Sequence, residues 1–341
     1  MRPEGPSPRI SVLMCVYNGQ DYLADAVQSV LQQTFGDFEF LIVNDGSTDD
    51  SFAILSSFRD QRIRIIDNGN NLGLIRSLNV GLDAARGEFI ARMDADDICA
   101  PDRFERQVAF LDSHPDTGLC GSWLSIIDEQ EVYRFPLTHE EIKLAMLGYN
   151  PMAHPSVMLR SSLLSQPHMR FDPDFPGAED YELWTRAVLV TRFANLPETL
   201  LRYRKHDKQV TQKKMEEVNT TSGKIKIGLL KSLGITPDET ERKLHLLLFN
   251  DQYKELRTSE LLPEVDAWMN KIISANLRHR QFDDRRLRAL WRAKLFVTCI
   301  DRYDLAKWKI LKKTLCYKAA EVPTSEKVKL FIKCLVRRKV G

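Results

Sequence analysis

The sequence predicts an α/β fold, a mostly parallel central sheet flanked by helices, followed by a helical C-terminal region. Three observations carry this. Over the first hundred residues, apolar strand-like runs alternate with segments of helical period. The first strand-like run, ISVLMCV, is a continuous apolar, β-branched run, as in a strand buried on both faces. Beyond about residue 213 the texture changes to helices.

The elements follow in order. ISVLMCV (10–16) is the first strand, and after YNGQ the segment DYLADAVQSVLQQ repeats Leu23, Val27, Val30 and Leu31 at helical spacing. FEFLIV (38–43) is the second strand. It closes in NDGSTDD, which supplies turn residues and helix caps. IRIID (63–67) is the third strand; NNLG leads into a helix reaching about Ala85, and EFIARM (88–93) makes the fourth strand. A mixed region from about 104 to 211 holds a helix from about Asp102, a strand-like LCGSWLSII, and the segments MAHPSVMLR, PGAEDYELWTRAV and LLRYRKH. Further on, TPDETERKLHLLL predicts a helix with Thr236 as cap, Pro237 in the first position and Glu239 completing a capping box. The boundary falls near 215–220, with an α/β domain over 1–215 and a helical, basic region over 216–341.

With 341 residues, 43% hydrophobic and 28% charged, the chain has ample material for a soluble core. Net charge is only +2, but the last 37 residues hold eleven Lys/Arg against two Glu, so a mildly acidic body ends in a basic tail. The six cysteines are scattered, with no C-x-x-C pair, which reads as reduced and intracellular and argues against a disulfide scaffold or a zinc site. The start, MRPEGPSPR, lacks an apolar signal core. No window offers the ~18 uninterrupted apolar residues of a membrane span. A cytoplasmic protein is expected.

Ligands of parallel sheets gather at the carboxyl ends of strands, and acids stand at two such ends. ARMDADDICAPDR places Asp94, Asp96 and Asp97 directly after the fourth strand. This is either a wet acidic turn or the seat of a hard cation, Mg²⁺ or Mn²⁺, which takes oxygen ligands and bridges carboxylates to a diphosphate. Asp45, after the second strand, is either an Asx turn or cap, for which Ser47, Thr48 and Asp49 also serve, or an acceptor for a nucleobase N–H. In the second case the backbone of Tyr17 and Asn18 shapes the same wall. Glu179 and Asp180 open a helix with the apolar stripe Leu183, Trp184, Ala187 and Val188. They are acids suited to a helix N-terminus or a general base held rigidly there. His154 precedes a proline in an extended segment. His206 stands beside Arg202, Arg204 and Lys205, cations able to hold a leaving diphosphate. Lone histidines are more often structural.

Taken in order, SVLMCVYNG, FLIVNDGSTDDS, NNLGLIRSLNVGLDAARGEFIARMDADD, PDR, HPSVMLR, AEDYELWTR and YRKH resemble a bacterial-type, non-processive family 2 glycosyltransferase with the glycosyltransferase-A fold, over about 10–211. The resemblance implies a role for each site residue. Asp45 matches the acid that recognises the base, usually uracil, of a nucleotide-sugar. Tyr17 lines that pocket, and Arg76 reaches the base or the phosphates. Asp94 faces the ribose and sugar, Asp96 coordinates the Mg²⁺ or Mn²⁺ at the diphosphate, and Asp97 supports them. Asp180 is the general base that deprotonates an acceptor hydroxyl for in-line, inverting attack, and Glu179 orients acceptor or base. His206 contacts metal or diphosphate. The implied partners are a UDP-sugar donor and a glycan or lipid-linked glycan acceptor, as in polysaccharide biosynthesis.

Two departures matter. The family often has proline where Cys15 or Val16 stands. No Q-x-x-R-W follows Glu179-Asp180 and no membrane helix is predicted, so one sugar is expected to be added at a time. Competing classes fit less well. A dinucleotide-dependent oxidoreductase needs G-x-G-x-x-G where VYNGQDYL stands, and a sugar nucleotidyltransferase calls for a glycine-rich, basic loop there. A non-catalytic nucleotide-sugar-binding scaffold would have lost the base or a metal ligand, yet Asp45, Asp94, Asp96 and Asp180 are all present.

The tail EKVKLFIKCLVRRKV sets Val328, Phe331, Ile332, Leu335 and Val336 on one helical face, with Lys327, Lys329, Lys333, Arg337 and Arg338 around it. It is either a terminal helix packed on the body or on a neighbouring subunit of a homo-oligomer, or a peripheral helix on the anionic inner membrane face. Nucleic acid is a poor third, because no nucleic-acid-binding motif accompanies the charge.

Overall fold

The computed structural model describes residues 7–166, 168–206, 215–249 and 261–300. The N-terminal half alternates as its pattern predicts: β1 (Ile10–Val16), α1 (Leu23–Leu31), β2 (Phe38–Asn44), α2 (Ser51–Ser57), β3 (Ile63–Asp67), α3 (Leu74–Ala84) and β4 (Phe89–Met93). There follow β5 (Ile98–Cys99), α4 (Arg103–Ser113), β6 (Thr117–Ile126), β7 (Val132–Tyr133), α5 (His139–Ala145), β8 (Met158–Arg160), α6 (Ser161–Leu164), α7 (Glu179–Ala187) and β9 (Arg192–Tyr203). The strands form one mixed sheet in the order β3-β2-β1-β4-β8-β6-β9-β5, with β7 paired to β6. β1 is parallel to β2 and β4, and β2 to β3. β8 turns the direction, running antiparallel to both β4 and β6.

Burial explains why the apolar runs are unbroken. Every residue of β2 and β4 is buried. Val12, Met14, Phe40, Ala91 and Met93 turn to one face, where they join Leu23 and Val27 of α1 and Phe104 and Val108 of α4. Alternate residues turn to the other face, where α3 lies so close that a Cβ at Gly81 would fall 2.1 Å from Leu13 Cδ1. Under the sheet, buried Glu39 of β2 accepts from Ser11 Oγ (2.6 Å) and the Arg86 amide (2.8 Å) and pairs with Arg64 and Arg86, which fixes the turn entering β4.

A boundary between two compact units falls after Ser222, and the short stretch Lys143–Tyr149 groups with the second. Among the described residues the second unit holds the helices Glu239–Phe249, Leu262–His279 and Asp284–Ile300. Their core gathers Leu233, Leu247, Leu248, Val265, Trp268, Ile272, Leu287 and Trp291. The capping box here differs from the sequence expectation. Asp238, not Thr236, caps the helix, with the Glu241 amide on Asp238 Oδ1 (2.9 Å) and the Asp238 amide on Glu241 Oε2 (3.0 Å). Asp is the better acceptor at that position, so the helix starts two residues late. No helix of the described residues is long and apolar enough to cross a membrane. The amphipathic segment 326–340 lies outside the described residues.

Candidate active site

The turns after β1 and β2 are tied to each other by side chains, which explains the polar composition of YNGQ and NDGSTDD. Asn18, at φ 53°, accepts the Thr48 amide on Oδ1 (2.8 Å), and its own amide donates to Ser47 Oγ (3.1 Å). The amides of Gly19 and Gln20 reach Ser51 Oγ (2.8 Å) and Asp49 Oδ2 (3.1 Å). Tyr17 is left 51% exposed beside this junction. Asp45 is only 3% exposed and does more than the sequence suggests. Its carboxylate accepts the Leu72 amide (2.8 Å), the Gly73 amide (2.9 Å) and Asn68 Nδ2 (2.9 Å), so it shapes the loop 68–73. A carboxylate has about four acceptor positions, so roughly one is left for a ligand N–H.

That loop constrains its neighbour. Gly46 sits at φ +67°, and a Cβ there would lie 2.4 Å from the Asn70 carbonyl carbon. Gly46→Ala should cost about 1–2 kcal/mol from the left-handed backbone alone, and more from the clash. A melting curve reads the effect, and an unchanged midpoint would show that loop 68–73 yields freely. Arg76 is exposed in the first turn of α3, without an ion pair or hydrogen bond among the described residues.

The acids after β4 converge. Asp94, Asp96 and Asp97 each offer one carboxylate oxygen, all within 4.8 Å of one another. The residues just after β9 meet them. The Arg204 amide donates to Asp97 Oδ1 (2.9 Å), Arg204 Nε to the Asp96 carbonyl (2.9 Å), and His206 Nε2 meets Asp96 Oδ2 at 2.9 Å. Tyr22 supports this strap, with the His206 ring 4.9 Å and the Arg204 guanidinium 4.4 Å from its ring. Asp97 is fully buried, and its Oδ2 has no partner. Burial, then the charges of Asp94 and Asp96, push the Asp97 carboxyl well above the usual range. Asp96 is raised by burial and by Asp94, with His206 opposing. Clustered hard oxygen donors with an orphaned buried oxygen suit a hard divalent cation, which would relieve that repulsion.

The second group of acids opens α7. Glu179 is buried and Asp180 half-buried. Burial, reinforced by Glu179, pushes the Asp180 carboxyl up to about 7, against hydrogen bonds from the Tyr181 amide (2.7 Å) and Asn150 Nδ2 (2.7 Å). Burial raises Glu179 as well. Asn150 is oriented by the Met152 amide, which donates to its Oδ1 (3.2 Å), so its NH₂ faces Asp180. His154 begins a 3-10 turn, stacks edge-on near Trp184 (6.0 Å) and is held neutral, well below the usual range, by burial and by Arg92.

Arg92 is the residue that sequence reading missed. It hides inside the apolar run EFIARM, and its NH1 contacts the Asp94 carboxylate. Asn150 and Tyr22 were missed too. Neither lies in a segment of recognisable chemistry, and no local signal marks them.

Comparison with known proteins gives a consistent result. Residues 11–164 match the model of Glycosyl transferase family 2. An uncharacterized glycosyltransferase of Haemophilus influenzae is 37% identical over 233 residues, covering 64% of this chain and 72% of that one. The amylovoran biosynthesis glycosyltransferase AmsE of Erwinia amylovora is 32% identical, over 60% of this chain and 79% of that protein. Among solved structures, S. aureus TarS 1–349 in complex with UDP-GlcNAc superposes with a TM-score of 0.58 at 21% identity, over 85% of this chain and 89% of that one. The fold is therefore of the glycosyltransferase-A type.

Proposed function

The chain belongs to glycosyltransferase family 2, and on that premise we propose that it is a metal-dependent, inverting, non-processive enzyme. It moves one sugar from a nucleotide-sugar, a UDP-sugar by preference, to a hydroxyl of a glycan or lipid-linked glycan. One observation carries the reading: Asp94, Asp96 and Asp97 converge at the end of β4, and a second pair of acids, Glu179 buried and Asp180 half-buried, opens α7. This gives one acidic group suited to a cation and another suited to taking a proton.

In this reading Asp45 and Tyr17 hold the base, Arg76 reaches the base or phosphates, and Asp94 faces the ribose and sugar. A Mg²⁺ or Mn²⁺ held by Asp96, with His206 beside it, would supply charge neutralisation at the departing diphosphate. Asp180 takes the proton of the attacking hydroxyl, and Glu179 orients acceptor or base. AmsE is named for amylovoran biosynthesis, which supports a biosynthetic sugar transfer by this chain as well.

The test is nucleotide release from a panel of nucleotide-sugars with Mn²⁺, Mg²⁺ or EDTA, for wild type and Asp96→Ala. One donor should turn over, the chelator should stop it, and Asp96→Ala should lose about 10²-fold or more, as expected for several kcal/mol of charge stabilisation. Full turnover in EDTA would refute metal dependence. Failure of every donor to release nucleotide would refute the donor class.

A further inference from the structure

The Asp180 carboxylate has about four acceptor positions, and the chain fills one on each oxygen. The Tyr181 amide donates to Oδ1 (2.7 Å), a contact between chain neighbours that moves wherever the start of α7 moves. The other bond comes from 30 positions away. Asn150 Nδ2 donates to Oδ2 at 2.7 Å, and among the described residues it is the one side chain that does so.

Asn150 is itself aimed. Its Oδ1 accepts the Met152 amide (3.2 Å), and an N–H can face only an acceptor, so the NH₂ is the end that meets Asp180. The segment that carries it is pinned by other groups. Pro151 restricts its own φ and the backbone of the residue before it. The Pro151 carbonyl accepts from Nδ2 of buried Asn195 on β9 (3.1 Å), which also holds the Pro136 carbonyl (2.7 Å). Met152 is buried in turn. The Asn150 side chain is therefore not what holds this segment in place. A carboxylate held on both oxygens keeps one rotamer, so its remaining lone pairs point one way. A cation would hold it as firmly, but would favour the charged form more strongly and weaken it as a base. A neutral amide orients it at a smaller loss of basicity.

We propose that Asn150 is a positioning residue for the base: its amide sets the direction in which the Asp180 carboxylate presents its free lone pairs to the attacking hydroxyl. The inference rests on the reading of Asp180 as the base. Loss of the amide should fall on kcat and spare donor binding.

The experiment compares the full chain as wild type, Asn150→Ala, Asn150→Asp, Asp180→Asn and the double variant Asn150→Ala/Asp180→Asn, each checked by a melting curve. Nucleotide release from the UDP-sugar that turns over in the panel gives kcat, KM and the pH profile, and calorimetry gives UDP binding with Mn²⁺. Asn150→Ala should lower kcat about tenfold, within the ~10²-fold that a misplacement of about 1 Å can cost. Its KM for the donor and its UDP affinity should match wild type. Asn150→Asp keeps an acceptor for the Met152 amide but sets a second carboxylate against Asp180. The charged groups already acting on Asp180 are Glu179 of its own helix and, with opposite sign, Arg92 of β4, and both are retained. Two facing carboxylates hold a proton between them, so the pH midpoint of turnover should rise by about one pH unit or more. A packing defect would not move it. In the Asp180→Asn background, Asn150→Ala should change the residual rate by less than about twofold, because residues that act as one unit are not additive.

Wild-type kcat in Asn150→Ala, beside a large loss in Asp180→Asn, overturns the positioning and leaves the base standing. Losses that multiply in the double variant do the same. If Asn150→Ala does not fold, an unmoved midpoint in Asn150→Asp overturns the proposal. Full turnover in Asp180→Asn removes the base itself, and the proposal falls with it.

Discussion

Asp180→Asn should leave donor binding intact and lower sugar transfer by about 10²–10⁴, the usual contribution of a positioned base. Asparagine keeps the size of the side chain, and its one carbonyl oxygen can still accept from either the Asn150 amide or the Tyr181 N–H, which hold the two oxygens of the native carboxylate at 2.7 Å each. What it cannot do is accept a proton. Calorimetric binding of UDP with Mn²⁺ should therefore match wild type while turnover falls. Full transfer by the variant would eliminate Asp180 as base, and lost UDP binding would mean that it shapes the donor pocket instead.

The same residue sets a pH dependence. A base must be deprotonated to act, and burial together with Glu179 brings the Asp180 carboxyl up to about 7. Turnover should climb as pH rises through about 7 and level off above it. An ordinary aspartate, with a value of about 3.9, would give a flat profile from pH 5 to 8. Because Glu179 is raised too, the measured midpoint belongs to the pair. A flat profile in a fully active enzyme would contradict the burial argument.

What could be read from the sequence follows the range of the forces involved. β1, β2 and β4 were legible because burial on both faces favours apolar runs, the more exposed edge strand β3 by its recurring isoleucines, and the strand ends because turns need Asn, Asp, Gly and Ser locally. The placement of Asp45, Asp94 and Asp96 at those ends was legible for the same reason, and that of Glu179-Asp180 from the helical stripe that follows them. Contacts made across the chain were not. His206 meets Asp96 over 110 positions, and Asn150 meets Asp180 over 30. Only the resemblance to a family suggested that the first pair shares a site. Arg92 was lost for another reason: an apolar window averages away one charged residue whose strand neighbours are all buried. The late capping box shows a local ambiguity, in which two overlapping polar signatures compete and the stronger acceptor prevails.

Arg103 in the PDR segment should give the largest stability loss. Its side chain is 0% accessible, and it has no carboxylate partner among the described residues. Instead Nε donates to Gln107 Oε1 (3.0 Å), NH2 to the carbonyls of Arg92 (2.8 Å) and Val157 (3.2 Å), and NH1 to Cys99 Sγ (3.3 Å). A buried cation is tolerable only because these dipoles surround it. Arg103→Met strands the acceptors and should cost about 3–5 kcal/mol, since hydrogen bonds to charged groups are worth about 1.5–3 each and an orphaned acceptor adds its own desolvation. At about 2–4 °C per kcal/mol that is a melting-point drop of roughly 6–20 °C. Arg103→Lys keeps the charge but not the fork, so it should fall between the two. The effect should also reach the chemistry. The Arg92 carbonyl is the clamp two residues before Asp94, so a Lys variant that still folds should release the end of β4 and weaken UDP binding in the presence of Mn²⁺. A melting point within 2 °C of wild type for Arg103→Met would mean that water replaces the guanidinium at little cost. The clamp on β4 would then have to be sought in the strand pairing with β1 and β8 alone.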